Sequence, residues 1–231
     1  MTDTKKLSID IWSDVMCPWC IIGYKALEQA LEELDGEVEA EIRWLPFELN
    51  PDMPAEGEDR VAHIARKYGR TASQAEDASR HMAERAEGLG FSFDYAGDLE
   101  QGETPPQAMM WNTFDAHKLL RWTLAQHGAE RQMALKLALF RAHFQYRRRI
   151  GDREVLLDIA EERGLDRLTA ATALDDAELA QIVRMEEQAA FDANVTGVPA
   201  MIVAGKFLVP GAQDAETYKR LLRKVAEKVE G

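Results

Sequence analysis

Cysteine is scarce in this chain, whose 231 residues contain only Cys17 and Cys20. Two cysteines form at most one disulfide, which excludes the class of small secreted domains held together by several disulfides. The chain also lacks a run of about 18 apolar residues, the length that a membrane-spanning helix needs. Its first residues lack the apolar segment and cleavage site of a secretory signal. We therefore expect a cytoplasmic protein whose cysteines lie in a reducing environment.

Positive charge is also in short supply. The chain has 28 Lys and Arg against 41 Asp and Glu, for a net charge of −13. Nucleic-acid binding relies on a concentrated cationic surface, so we expect no nucleic-acid partner. Without an apolar span we expect no membrane partner either. The hydrophobic fraction of 46%, in a chain of this length, is enough to form a core without disulfides.

The two cysteines stand between a predicted strand and a predicted helix. Residues 7–12 alternate apolar and polar side chains and are rich in β-branched and aromatic residues, which predicts a strand. From Ile21 to Leu34 apolar residues recur at helical spacing, and Gly36 ends that pattern. Residues 38–45 alternate again. The predicted order is strand, Cys-x-x-Cys at a helix start, helix and strand.

The rest of the chain is predicted to be a helical middle followed by a second group of strands. Residues 198–203 and 207–209 predict an antiparallel hairpin, and residues 212–230 predict a closing helix. Between the two groups of strands, residues 59–194 have the composition of five or six helices, with a small element at 91–93. Turn-forming residues interrupt this middle at 88–90, 103–106, 127–128, 150–152 and 164. The ends together predict one βαβ…ββα sheet.

Three interpretations of the cysteine pair compete: two buried apolar residues, half of a zinc site, or a dithiol/disulfide couple. A structural zinc site needs four ligands, usually including a second close pair, and the five histidines offer none. Cys17 falls at or just before a helix start, where the positive end of the helix dipole favours a thiolate. Pro18 suits the first helical turn, and Cys20 lies on the same helix face. This context favours the redox couple.

Trp19, between the cysteines, has two interpretations. Its ring either packs beside the motif or forms part of the surface on which a thiol substrate lands, and we expect a mixture of both. A histidine at this place stabilises a thiolate and a tryptophan does not. We therefore expect a milder oxidant than a histidine-containing motif gives.

The chain resembles the DsbA-like thioredoxin-fold oxidoreductases, and within them the FrnE type. The Cys-Pro-Trp-Cys motif and the Thr-Gly-Val-Pro of residues 196–199 carry this resemblance. Further matches lie at 44–51, 112–117, 150–152 and 211–213. The resemblance implies an α/β, thioredoxin-like fold with a mixed sheet and a large all-helical insertion. It implies one compound domain over 1–231, with a thioredoxin core at about 5–50 and 195–230 and the insertion at about 59–194.

The resemblance also implies roles for residues around the cysteines. Pro199 follows a cis peptide bond, and its loop faces the motif, leaving the backbone of Val198 free to pair with an extended substrate. A trans proline at a strand edge is the alternative. Related folds place a buried carboxylate behind the resolving cysteine. Asp10 occupies that place if the loop before Cys17 is one residue longer, and otherwise it points to a polar edge. Asp14 is interpreted as a turn or helix-start cap.

Candidate substrate contacts are the least specific part of the resemblance. In the related glutathione-dependent isomerase branch, the segment that holds Asn112 and His117 lines the substrate cleft. A histidine that packs within its helix is the alternative for His117. Arg147 and Arg148 belong to a run more basic than is typical of the branch. They are candidates to hold a glutathione carboxylate or an acidic partner, or else they form a solvated helix end.

The sequence thus predicts a thiol–disulfide oxidoreductase of the reductase or isomerase type. Cys17 attacks a disulfide and Cys20 resolves the mixed disulfide. Its partners are protein or small-molecule thiols and disulfides; no metal or other cofactor is predicted, and glutathione is a candidate co-substrate. One alternative is a glutathione-dependent 2-hydroxychromene-2-carboxylate isomerase or kappa-like transferase, although such chemistry needs only one thiol or hydroxyl. A chaperone-like binding protein is the other alternative.

Overall fold

The computed structural model describes residues 4–69 and 71–229, with the side chain of residue 72 excepted. In chain order the elements are β1 (Lys5–Ser13), α1 (Pro18–Glu32), β2 (Val38–Pro46), β3 (Glu58–Asp59), α2 (Arg60–Tyr68), α3 (Ala72–Glu87), β4 (Met109–Met110), α4 (Phe114–Phe144), α5 (Arg153–Glu162), α6 (Arg167–Asp175), α7 (Ala177–Asp192), β5 (Ala200–Val203), β6 (Phe207–Pro210) and α8 (Ala215–Val229). None of the helices in these ranges has an apolar stretch long enough to cross a membrane.

The main sheet joins the two ends of the chain. Its strand order is β2-β1-β5-β6, with β1 parallel to β2 and antiparallel to β5, and with β5 antiparallel to β6. Ile9 of β1 stands opposite Ile42 of β2 and Val203 of β5. A parallel β1–β2 pair needs a crossover, and α1 supplies it. The α/β, thioredoxin-like fold class with a mixed sheet and added helices is confirmed.

The two faces of the sheet bury different sets of side chains. Successive residues of a strand point to opposite faces, so Ile9 and Ile11 share one face and Asp10 and Trp12 share the other. The first face carries the main apolar core, to which α1 and α8 contribute. Trp12 packs instead in a smaller cluster with Phe47 and the end of α7. Cys17 and Cys20 belong to the core on the first face.

The helices between β2 and β5 follow the predicted composition but not every predicted boundary. The predicted break at 127–128 is present as a kink inside the range of α4, 114 to 144. Gly128, with φ 84° and ψ 176°, departs from helical geometry there and divides α4 into two helical stretches. A break that was not predicted, at Asp176, separates α6 from α7. Residues 91–93 form no regular element, and β3 pairs unexpectedly with β4.

The loop before the cysteines is anchored in a second core formed by the inserted helices. Val15 and Met16 are buried among apolar residues of α4, α5 and α6. The backbone N–H of Trp111 also donates to the sulfur of Met16, at 3.0 Å. The segment that precedes Cys17 is therefore held by the sheet on one side and by the inserted helices on the other.

Candidate active site

Cys17 occupies the start of α1 in the way the sequence predicts. It is the N-cap residue, with φ −83° and ψ 114°, and Pro18 is the first residue of the helix. A proline fits there because its missing N–H would have no helical partner. Cys20, one turn on, is completely buried, and Cys17 retains only 3% exposure. Both cysteines are free thiols in the structure.

A loop next to β5 faces Cys17. The Cys17 thiol donates to the backbone oxygen of Val198, with a sulfur–oxygen distance of 3.5 Å. The peptide bond between Val198 and Pro199 is cis, as the resemblance implied. The Pro199 oxygen accepts from the N–H of Gly211 at 2.8 Å, which ties the loop to the end of β6. The structure thus brings Cys17, Val198 and Pro199 together.

Gly23 allows α1 and this loop to approach closely. A Cβ atom at position 23 would lie 3.2 Å from Pro199 Cγ and 3.2 Å from Ala212 Cβ. Such distances are tighter than ordinary van der Waals contact between carbon atoms, which is about 3.5–4.0 Å. The position of the loop relative to the cysteines therefore depends on the absence of a side chain at position 23.

Trp19 shows the first of its two predicted roles, packing beside the motif. It packs against the edge of the main core and is half-buried. The guanidinium of Arg85, on α3, lies 5.8 Å from the ring centroid, which is within cation–π range. Trp19 stays partly exposed between the two cysteines, and its role as a landing surface for a thiol substrate stays a prediction.

The two thiols ionise as a coupled pair, and the lower pKa belongs to Cys20. Burial raises the pKa of Cys20, but hydrogen bonding with Cys17, the nearby Ser13 hydroxyl and the charge of Lys136 outweigh it and hold the pKa below its usual value. The pKa of Cys17 is well above its usual value because of hydrogen bonding with Cys20, burial, and the charges of Cys20 and Asp14. The helix start had predicted a lowered pKa for Cys17, and hydrogen bonding with Cys20 and burial act against it.

Asp14 is a buried turn residue, which is the first of its two predicted roles; the N-cap of α1 is Cys17, and no side chain caps it. It has no exposed surface, and its carboxylate accepts from the Leu49 N–H at 2.7 Å and from the Met16 N–H at 3.3 Å. His117 Nε2 lies 3.7 Å from the same carboxylate. Burial opposes the negative charge, but His117, the Leu49 N–H and Lys136 hold the pKa of Asp14 below its ordinary value. Asp14 therefore remains ionised behind the cysteines.

Asp10 does not lie behind Cys20. Its carboxylate forms a two-point ion pair with the Arg43 guanidinium, at 2.7 and 2.9 Å. Since Asp10 alternates with Ile9 and Ile11 along β1, it points to the sheet face opposite the cysteines. Of the two predicted places for Asp10, the structure shows the polar one.

The four candidate substrate contacts do not form one group. His117 is 2% exposed and turned toward Asp14, so the packing alternative describes it. Asn112 accepts from the Phe114 N–H at 3.0 Å, an interaction typical of the turn before a helix. Arg148 donates to both carboxylate oxygens of Glu162, at 2.9 and 3.1 Å. Arg148 therefore has a carboxylate partner of its own.

Arg147 lines a small cavity whose polar groups the sequence had not singled out. The cavity is about 50 Å³ in volume, and Arg60, His143 and Trp111 contribute to it. Arg60 Nε and His143 Nδ1 are buried and have no hydrogen-bond partner among the described residues. Burial lowers the pKa of Arg60, and the charge of Arg147 lowers it further. The cavity is therefore lined by two guanidinium groups, one of which has an N–H without a partner among the described residues.

Lys136 is the site residue that sequence reasoning missed. It lies in the middle of α4, has no exposed surface, and donates to the backbone oxygen of Ser13 at 3.4 Å. Trp44 and Phe140 flank its ammonium, each with a ring centroid 5.0 Å away. Its four-residue spacing from Phe140 was the available signal, because that spacing places a lysine on a buried helix face.

A comparison with known protein families identifies the fold. Residues 8–223 match the family model described as the DSBA-like thioredoxin domain. The chain belongs to this family. Among curated proteins, the chain is 27% identical over 215 residues to the uncharacterized protein YwbO of Bacillus subtilis (strain 168), covering 93% of this chain and 94% of that protein. The finer FrnE-type assignment stays a prediction.

Two solved structures show how far the similarity extends. A probable DsbA oxidoreductase from Streptomyces coelicolor is 30% identical, with a TM-score of 0.80, covering 96% of this chain and 90% of that chain. The cytosolic disulfide reductase DsbM from Pseudomonas aeruginosa is 18% identical, with a TM-score of 0.60, covering 96% of this chain and 98% of that chain. DsbM has also been solved with GSH. At this identity, DsbM shows the shared fold.

Proposed function

Because the chain is a DSBA-like thioredoxin domain, we propose that it is a thiol–disulfide oxidoreductase working through Cys17 and Cys20. The observation that carries this proposal is the contact between the Cys17 thiol and the backbone oxygen of Val198. That contact puts the less buried of the two cysteines beside the partly buried Val198, which precedes a cis proline. An extended peptide that pairs with Val198 brings its own sulfur to Cys17.

Cys17 is the nucleophile of the proposed reaction and Cys20 the resolving thiol. Ionisation of Cys17, the less buried of the two cysteines, gives the reactive thiolate. This thiolate attacks a substrate disulfide, the substrate S–S bond breaks, and one substrate sulfur leaves as a thiolate. Cys20 then loses its proton to water and attacks the Cys17 sulfur. This step releases the second substrate thiolate and leaves the Cys17–Cys20 disulfide.

We propose net reduction or isomerisation, in the cytoplasm, as the physiological direction. Thiol–disulfide couples of ordinary potential are kept reduced by a glutathione-buffered cytosol. DsbM, which shares the fold, is described as a cytosolic disulfide reductase. Each reduction of a substrate disulfide converts Cys17 and Cys20 to their disulfide. A thiol reductant must therefore restore the dithiol, and glutathione is the candidate.

The proposed place for a glutathione carboxylate is the cavity beside Arg147. Arg147 Nη1 donates only to the Pro106 backbone oxygen, at 2.5 Å, among the described residues, whereas Arg148 already pairs with Glu162. Arg60 adds a second positive charge with a spare donor. Planar guanidinium groups are well suited to bind a carboxylate.

The reduction potential of the wild-type pair tests this proposal. The protein is equilibrated in buffers of graded glutathione to glutathione-disulfide ratio, its thiols are trapped, and the oxidised fraction is measured by mass. A cooperative two-electron transition is expected. Cys20→Ser is expected to accumulate a mixed disulfide at Cys17, whereas Cys17→Ser is expected to accumulate none. The double variant serves as the blank.

Each alternative function predicts a different result in the same experiment. A wild-type protein that stops as a stable Cys17–glutathione adduct favours the glutathione-dependent isomerase or transferase. Binding of unfolded protein that survives Cys17→Ser unchanged, together with inert thiols, favours the chaperone-like protein. The fully enclosed Cys20, one turn from Cys17, argues against both alternatives, because neither needs a second thiol there.

A further inference from the structure

Lys136 is a buried charge that packing does not explain. Its side chain has no exposed surface, and its hydrogen bond to the Ser13 backbone oxygen is long, at 3.4 Å. Among the described residues, no carboxylate oxygen lies within 4 Å of its ammonium. Burying an unpaired ammonium costs several kcal/mol. A methionine would fill the space between Trp44 and Phe140 without that cost, so the charge itself has a use.

The groups around Lys136 show where the charge acts. Ser13, which receives its hydrogen bond, directly precedes Asp14, whose backbone oxygen accepts from the Cys17 N–H at 3.1 Å. Trp44 and Phe140, which flank the ammonium, belong to the same buried cluster as Cys17 and Cys20. The charges that act on Lys136 are those of Cys20, Asp14 and Cys17. Of these, Asp14 already has the Leu49 and Met16 N–H groups and His117. Among the causes that lower the pKa of Cys20, the positive charge is that of Lys136.

We propose that Lys136 is a positioning residue for the redox reaction: its ammonium stabilises the thiolate of Cys20 and thereby makes the pair more oxidising. This inference rests on the proposed thiol–disulfide exchange. It assigns to the inserted helix α4 a direct influence on the chemistry of α1. The protein therefore needs no buried carboxylate at Asp10 to serve Cys20.

The step on which Lys136 acts is cleavage of the Cys17–Cys20 disulfide. A substrate thiolate attacks the Cys17 sulfur, the bond between the two cysteines breaks, and its electron pair leaves with Cys20. A mixed disulfide between Cys17 and the substrate forms at the same time. A leaving thiolate of lower pKa departs faster, and stabilising it shifts the equilibrium toward the dithiol form. In the reverse direction the same thiolate attacks Cys17, so Lys136 acts on both directions.

The ionisation of the surrounding groups agrees with this role. Burial lowers the pKa of Lys136 to about 8, while the charges of Cys20, Asp14 and Cys17 raise it. Most of the lysine is therefore protonated at neutral pH. Two other titratable groups lie near the pair. His117 contacts Asp14, and Tyr218 belongs to α8, where burial raises its pKa to about 12. Tyr218 is neutral at neutral pH, so it does not supply the positive charge.

The test compares Lys136→Met with Lys118→Met in glutathione redox buffers. Lys118 is the matched control, because it is a buried lysine of the same helix that donates to the backbone oxygen of Leu174, away from the cysteines. Lys136→Met is expected to lower the equilibrium constant for reduction of the disulfide by glutathione about tenfold, which is about 30 mV toward a more reducing potential. Lys118→Met is expected to leave it within about twofold of wild type.

The outcomes separate this inference from the proposed function. If the wild-type protein shows no two-electron transition, both the proposed function and the role of Lys136 are wrong. A normal wild-type transition, with Lys136→Met equal to Lys118→Met, overturns the role of Lys136 alone. Should Lys136→Met not fold, wild type labelled with ¹³C-lysine provides a second measurement. We expect the buried lysine to titrate at higher pH in the dithiol than in the disulfide form, and equal midpoints would overturn the inference.

Discussion

His117 Nε2 lies 3.7 Å from the Asp14 carboxylate, and both side chains are closed off from solvent. Asp14 belongs to the turn between β1 and α1, whereas His117 belongs to the inserted helix α4. Lys136 comes from the same helix and acts on the same carboxylate. The buried charges behind the cysteines thus come jointly from the sheet part of the chain and from its helical insertion, and the insertion is part of the reactive site.

Asp14→Asn is expected to increase the reactivity of the cysteine pair. The charge of Asp14 raises the pKa of Cys17, so its removal lowers that pKa and enlarges the thiolate fraction at neutral pH. Asparagine still offers one oxygen to the Leu49 N–H. We expect iodoacetamide alkylation at pH 7 to be several-fold faster than in wild type, with the rate-against-pH curve displaced to lower pH.

Asp166→Asn is the control for that experiment, because Asp166 caps α6 far along the chain by accepting from Thr169. It is expected to alkylate at the wild-type rate. An unchanged or slower rate in Asp14→Asn would show that the charge of Asp14 does not reach Cys17.

Asp10→Asn is expected to leave the reduction potential unchanged. Its carboxylate is occupied by Arg43 on the sheet face away from the cysteines. Because Arg43 is partly exposed, we expect the free energy of unfolding to fall by only about 0.2–1 kcal/mol. Urea unfolding and glutathione equilibration measure the two quantities. A displaced potential would return Asp10 to the role of proton acceptor for Cys20.

Local sequence signals were enough to predict most of the fold. The alternation of β1 and β2, the helical spacing after Cys20, and the hairpin at 200–210 all appear within a few residues of where they were predicted. The errors lie in the inserted helices. The interruption of helical geometry at Gly128 was predicted, whereas the break at Asp176 was not, because no glycine or proline stands between 167 and 192 to signal it.

The charged part of the site was much harder to predict than the cysteines. Cys17 and Cys20 stand in one short motif, so their proximity follows from local order, and the resemblance implied that the distant loop of Pro199 faces them. Asp14 and Lys136 are separated by more than a hundred residues, and only the packing of α4 against the sheet brings them close. Periodicity placed Lys136 on a helix without showing which face meets the cysteines.

Glu48→Gln is expected to change the pH dependence of stability. Burial raises the pKa of Glu48 to about 7, while Arg184 lowers it and the charges of Glu187 and Asp14 raise it. Between about pH 4.5 and 7 the folded protein holds a proton at Glu48 that the unfolded chain has released, so this residue's contribution to stability falls as pH rises. We expect the wild-type free energy of unfolding to fall relative to Glu48→Gln by a few kcal/mol over that range.

Urea unfolding at pH 4.5, 6 and 8 measures this difference. Glu33→Gln is a suitable comparison, because Glu33 is exposed and pairs with Lys219 at the surface. Wild-type and Glu48→Gln curves that stay parallel from pH 4.5 to 8 would show that Glu48 is ionised throughout.

Arg147→Met is expected to weaken the use of glutathione without moving the reduction potential. Arg147 and Arg60 both line the small cavity. An exposed ion pair contributes about 0.2–1 kcal/mol, so we expect the KM for glutathione disulfide to rise about two- to fivefold. Arg148→Met is the matched control, since Arg148 pairs with Glu162. Equal KM values for the two variants would place the glutathione carboxylates elsewhere.

Gly23→Val is expected to lower both the stability of the protein and its disulfide-exchange rate. The first added carbon would lie 3.2 Å from both Pro199 Cγ and Ala212 Cβ, so valine must push α1 away from the loop that carries Val198. Overpacking of this kind costs about 1–3 kcal/mol, and the displaced loop no longer faces Cys17 at the right distance. Gly88→Ala, where an added carbon meets nothing closer than 3.6 Å, is the control. We therefore expect Gly23→Val to lower both the free energy of unfolding in urea and the disulfide-exchange rate, and Gly88→Ala to change neither. A Gly23→Val protein that loses stability but keeps its full exchange rate would show that the loop tolerates displacement.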